Sequence, residues 1–194
     1  MDRRVAKTRE TIRQAYFDLV LEKGGKRVTV FEIARKANID RKTFYLHYQS
    51  TEEIIEEFAE EKTSEMLLRL TTKSFFRRSF DRRIFAEEAN SLLRENMDLC
   101  RALSSNPDYY FFWRGVEDTV VRHLINSYGR LTRTPASDII IRVSFFVSGA
   151  AGVYRRWFRG EIDCTLEEAT DRMSEIAFEG ARSLLKSARK KNTT

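Results

Sequence analysis

The chain has 194 residues, a formal net charge of +6, two cysteines and two histidines. That length can bury a sizeable core without disulfide or metal staples, and Cys100 and Cys164, isolated from each other and from other ligand types, argue against a disulfide scaffold or a metal centre. No apolar run is expected to reach the ~20 residues of a bilayer span, and Met1-Asp2-Arg3-Arg4 leads into a charged amphipathic segment rather than a signal-peptide core, so a cytoplasmic protein without membrane contact is expected.

With two prolines, eight glycines and no strongly alternating stretch, the chain reads as all-α. Ile12, Ala15, Tyr16, Leu19 and Val20 form one apolar stripe on a first helix, which Gly24-Gly25 stops. Thr29 and Glu32 have capping-box spacing and open a second helix with Val30, Ile33, Ala34 and Ala37 inward. Ala37-Asn38-Ile39 is a tight turn in which Asn38 can take positive φ. Asp40 caps a third short helix reaching about Tyr48, with Phe44 and Tyr48 on its inner face. Ser50 and Glu53 cap a long fourth helix whose first turn is acidic, as the helix dipole favours. The change there from basic to acidic places a domain boundary after residue 50: a three-helix domain at 1–50 and a larger helical domain at 51–194. Beyond it the pattern predicts helices from Asp81 to about Leu103, from Asn106-Pro107 to near Gly129, from Thr134-Pro135 to about Phe158, and from the Thr165/Glu168 capping box to about Lys186. Arg189-Lys190-Lys191-Asn192 reads as a frayed basic tail.

The charge is unevenly spread. Residues 1–49 hold 12 Lys/Arg against 6 Asp/Glu, whereas residues 50–194 hold 23 of each. All of the excess therefore lies in the first quarter, as phosphate neutralisation would require. Three short helices with a basic third are the layout of a helix-turn-helix, whose second paired helix enters the major groove of double-stranded DNA. Arg41 and Lys42, in the first turn of that helix, suit guanine O6 and N7, with Thr43 beside them. Leu46 suits a thymine methyl, and Thr29, Tyr45 and His47 suit phosphate oxygens.

The string Val28-Thr29-Val30-Phe31-Glu32-Ile33-Ala34, then Ala37-Asn38-Ile39, then Thr43-Phe44-Tyr45-Leu46-His47-Tyr48-Gln49-Ser50 and Glu52-Glu53-Ile54 carries a more specific likeness. Residues 7–58 resemble the DNA-binding domain of the tetracycline-repressor (TetR) family. The resemblance implies an all-helical homodimer with a helix-turn-helix at each N-terminus and a C-terminal domain that binds ligand and dimerises. It also implies phosphate contacts at Thr29, Tyr45 and His47, and base contacts at Arg41, Lys42, Thr43 and Leu46. Two positions depart from the family pattern: Asn38 stands where glycine is frequent, and Thr51 where lysine is frequent. Lys42 or an Arg3-Arg4 arm is the expected substitute for that lysine.

The C-terminal half carries fewer signals. Tyr110 and Trp113, with Phe145 and Phe146, belong to aromatic-rich segments that could pack a core or line an effector pocket. Arg142 lies in an apolar helix, where burial would demand a carboxylate or an anionic ligand. His123 reads as structural. Gly149 and Gly152 lie in a run of small residues that admits a close neighbour, and Ala177, Gly180, Ala181 and Leu184 lie on the next helix. These two helices are the expected homodimer face, as a four-helix bundle, and the family likeness supports that. Tyr154-Arg155-Arg156-Trp157-Phe158, Gly160 and the Thr165 cap resemble a Firmicutes-type branch, some members of which recognise a partner protein. The effector, small molecule or protein, therefore stays open. No catalytic triad, metal-ligand cluster or phosphate-cradling loop is present, so neither enzymatic activity nor a cofactor is expected.

Overall fold

The computed structural model describes residues 3–72, 82–131 and 135–177, and among these every regular element is a helix. Helix α1 spans Arg3–Glu22, α2 Val30–Lys36, α3 Arg41–His47 and α4 Thr51–Thr72. Helix α5 spans Arg82–Glu95, α6 Met97–Ser105, a 3₁₀ turn Pro107–Tyr109, α7 Tyr110–Leu131 and α8 Ala136–Phe158. The described part of α9 is 166–177.

Local chemistry sets the first three helices. The expected α1 stripe, Ile12, Ala15, Tyr16, Leu19 and Val20, is buried. Gly24 and Gly25 end the helix in left-handed conformations, φ +59° and +78°. Gly25 is required twice over, because an added Cβ would stand 2.3 Å from the Ala102 carbonyl oxygen of α6. Asn38 makes the α2–α3 turn at φ +52°. The Thr29/Glu32 capping box forms with both of its bonds, and so does the Thr165/Glu168 box that opens α9.

One apolar core runs through both halves. It joins Ile12, Tyr16, Phe44, Tyr48, Ile54, Ile55 and Phe58 to Leu103, Phe112, Trp113, Phe158 and Met173. Fully burying side chains of this size contributes roughly 1.5–3 kcal/mol each. Helix α4 lies along α7, and α7 along α8. The Trp113–Phe158 ring pair (5.9 Å) and the Ser148–Glu117 hydrogen bond (2.9 Å) show α7 and α8 running antiparallel. The two halves also meet in polar contacts: Asn106 Nδ2 donates to the Gly25 carbonyl (2.9 Å), and the Tyr109 hydroxyl to the Lys26 carbonyl (3.2 Å).

The structure corrects several expectations. The single helix to Leu103 is two, α5 and α6, broken at Asn96 (φ −124°, ψ 24°). The Asn96 side chain donates to the Leu92 carbonyl at 2.8 Å and so competes with the helical ladder. Asp81, the expected start, lies outside the described residues, as do Thr134 and the tail from Arg189. Pro135 itself stands at the N-cap of α8, and its carbonyl accepts from Asp138 and Ile139. Helix α8 also has the length and composition to cross a membrane, with mean hydropathy 1.4 over its most apolar stretch. The sequence pattern had hidden this because charged residues punctuate the segment. Inside the chain α8 packs Ile139, Val143 and Val147 against Val120, Val121 and Leu124 of α7.

Candidate nucleic-acid interface

Asp40 starts α3, its carboxylate accepting from the Thr43 N–H at 2.6 Å. That bond holds the carboxyl below its ordinary pKa. Phe44 and Tyr48 are buried and anchor the inner face. Leu46 stands about 160° round the helix from Phe44 at ~100° per residue, and it is the most open large apolar side chain of α3, 73% exposed. Arg41 and Lys42 are exposed beside it, and Tyr45 is half exposed with its ring edge-on to Phe44 at 5.4 Å. Thr43 and His47 are half-buried on the flank. The six expected α3 residues therefore share one helix, four facing outward and two at the margin.

Thr29 is exposed at the N-cap of α2. Its Oγ1 accepts from the Glu32 N–H (3.3 Å) and lies 2.8 Å from a Glu32 carboxylate oxygen, to which it donates. Lys23 bonds the other carboxylate oxygen at 2.8 Å. Chiefly through Lys23, and then through Thr29, the Glu32 carboxyl is lowered to about 2. The Thr29 hydroxyl proton is thus engaged inside the box. Arg3, Arg4 and Lys7 are exposed in the first turns of α1, so the expected arm is helical.

Sequence reasoning missed Arg9 and Glu57. Arg9 on α1 donates to the His47 carbonyl and to Glu57 on α4. The two residues lie 48 apart in sequence. The available signal was the matching i,i+4 spacing of Arg9/Arg13 and Glu57/Glu61, the two pairs that bond across the helices.

Among the described residues, the expected effector residues occupy different settings. Trp113 is core, its indole N–H bonded to Ser104 Oγ at 3.0 Å. Tyr110 is exposed and lines a cleft of about 420 Å³ between the α1–α2 turn, the start of α4 and the start of α7. Arg142 is exposed, not buried, and pairs with Asp138 one turn earlier at 3.2 Å. Phe145 is 82% exposed, and Phe146 packs on the α7–α8 seam. In the antiparallel α7–α8 pair, Trp113 meets Phe158, and Phe146 lies twelve residues, roughly 18 Å, before that on α8. Among the expected dimer residues, Gly149 is exposed and Gly152 and Ala177 are half-buried. An added Cβ at either glycine would meet nothing within 4 Å. Gly180, Ala181 and Leu184 lie outside the described residues. Cys100 is buried, Cys164 half-buried and both are free, and burial lowers the pKa of His123.

Short helices braced so that the third presents a basic and polar face outward define a helix-turn-helix protein. Residues 12–58 match the family described as bacterial regulatory proteins, tetR family. The family likeness thus rests on this N-terminal domain. Over 75 residues the chain is 39% identical to YxbF, an uncharacterized HTH-type transcriptional regulator of Bacillus subtilis (strain 168). That match covers 38% of this chain and only 20% of the relative. A crystal structure assigned to the TetR-family transcriptional regulators, from Syntrophomonas wolfei, is similar in fold over 89% of this chain and 93% of its own. Its TM-score is 0.63 at 17% identity. The dihydroxyacetone kinase operon activator DhaS is similar over 89% and 95%, with TM-score 0.56 at 16% identity. At such identities the likeness is one of fold.

Proposed function

We infer that the protein is a sequence-specific, DNA-binding transcriptional regulator that acts as a homodimer, probing the major groove with α3. The observation that carries this reading is the outward set Arg41, Lys42, Tyr45 and Leu46 over a helix pinned by Phe44 and Tyr48. The localised charge excess supports it. Arg41, Lys42, Thr43 and Leu46 read base edges, and Tyr45 and His47 hold phosphates. Thr29 joins them by turning its hydroxyl from Glu32 to a phosphate, while its N–H stays bonded to the carboxylate (2.8 Å). Such a regulator works at DNA, hence in the cytoplasm.

The dimer uses α8 and α9. Ile140, Ile141 and Phe145 on α8 and Ile176 on α9 are large apolar side chains left exposed by this chain, and Gly149 and Gly152 are open to a close neighbour. A second copy covering this face makes a four-helix bundle and sets two reading helices about 34–36 Å apart, or a multiple of it, on a palindromic operator. Repression is the sign we assign. An effector, small molecule or protein, that favours another spacing releases the operator by its differential affinity for the two states.

Lys42→Ala and Tyr45→Ala test the interface by equilibrium binding to a selected operator at fixed salt. Each is expected to weaken binding by roughly tenfold or more, the scale of a lost base or phosphate contact. Unchanged affinity in both would refute the reading face.

A further inference from the structure

Arg9 faces the end of the reading helix. Its guanidinium donates to the His47 carbonyl oxygen at 2.5 Å and to a Glu57 carboxylate oxygen at 2.9 Å. The same group lies 4.2 Å from the centre of the Tyr48 ring. The same Glu57 oxygen accepts from the Tyr48 hydroxyl at 2.7 Å. One turn further along each helix, Arg13 bonds Glu61, a second rung between α1 and α4. Glu57 thus gathers one donor from α1 and one from the residue that ends α3. It does so on α4, the helix that continues along α7.

The location matters because α3 has only seven residues. A helix that short does not hold its own direction in water. Its last carbonyls have no intrahelical partner, and a guanidinium beside them supplies a charge-assisted bond at the negative end of the dipole. Phe44 is the one buried side chain within α3 itself, and Tyr48, the residue that ends the helix, is its other anchor. A single pin leaves the helix free to pivot, and a second at its C-terminal end fixes its axis.

We propose that Arg9, Tyr48 and Glu57 form a polar clamp that sets the orientation of α3 against α4, and thereby its discrimination among base sequences. The inference rests on the DNA-reading function given above. The three are positioning residues, acting through the face that α3 presents. The sign of one substitution separates this role from simple electrostatics. Glu57→Gln removes a negative charge from the basic end of the molecule, which by phosphate attraction alone would tighten binding to any duplex. The clamp requires the opposite for the operator.

The test measures affinity for a selected operator and for a random duplex at one ionic strength, with thermal unfolding of each protein alongside. Tyr48→Phe and Glu57→Gln are expected to lower the operator-to-random ratio by roughly tenfold, the scale of a lost charge-assisted bond. Their random-duplex affinity stays unchanged or rises. Arg9→Lys, which keeps the charge without the fork, loses less than Arg9→Ala. An unchanged ratio in folded Tyr48→Phe overturns the proposal, and so does a fall that only tracks the unfolded fraction. If the wild-type chain prefers no duplex over another, the DNA-reading function itself falls, and the clamp with it.

Discussion

Glu32 serves the fold at two atoms. One carboxylate oxygen takes the Lys23 ammonium, tying the end of α1 to α2, and the other takes the N–H and hydroxyl of Thr29 at the N-cap. The capping box is therefore the brace beneath α3, because α2 is the helix against which α3 turns. Thr29→Ala removes the hydroxyl and leaves the Glu32 N–H without its acceptor. Urea denaturation of the full chain is expected to show a loss of about 1 kcal/mol, the usual cost of replacing a threonine cap by alanine. A variant as stable as the wild type would mean that the box is ornamental to the brace. At the same scale, the exposure of Leu46 and the burial of Phe44 and Tyr48 follow from position alone. Four residues is slightly more than one turn, so 44 and 48 share the inner face and 46 opposes them.

At the scale of elements, the α1–α2 turn shows how tightly the two halves are fitted. Gly24 and Gly25 both have positive φ, yet only Gly25 presses on α6. Gly24→Ala is expected to cost roughly 1–2 kcal/mol for the left-handed conformation. Gly25→Ala should cost clearly more, because the Ala102 carbonyl is backbone and cannot swing away. Equal thermal shifts in the two variants would contradict that packing. Helices α1 to α3 were legible in the sequence because their signals are local: a stripe at helical spacing, two glycines, an Asn turn and two caps. The α5–α6 break was not, since Asn96 acts by bonding its own preceding turn and carries no periodic mark. Arg142 misled because a charged residue in an apolar helix does not announce which face it occupies; it faces out and pairs with Asp138. The expected effector residues occupy different settings for a related reason. Aromatic content says nothing of pairing, and the antiparallel packing of α7 on α8 puts Trp113 and Phe146 at separate levels. The clamp at Arg9 and Glu57 joins residues 48 apart, which only the fold could bring together.

For the whole molecule, the outer side of α8 is the surface of greatest consequence. The inner side packs on α7, while Ile140, Ile141 and Phe145 stand uncovered. In the dimer proposed above, a second copy covers these side chains and sets the spacing of two reading helices. Phe145→Glu with Ile141→Glu is expected to give a monomer by sedimentation at micromolar concentration, with operator affinity reduced by orders of magnitude and the helical content kept. A dimer that survives both changes would place the interface elsewhere. The central claim, that the Arg41–His47 face reads base pairs, meets its most direct trial in selection from a library of randomised duplexes at low ionic strength. The account predicts enrichment of one palindromic sequence by the wild-type chain and loss of that enrichment in Lys42→Ala. Recovery of no preferred sequence by the wild-type protein would contradict it.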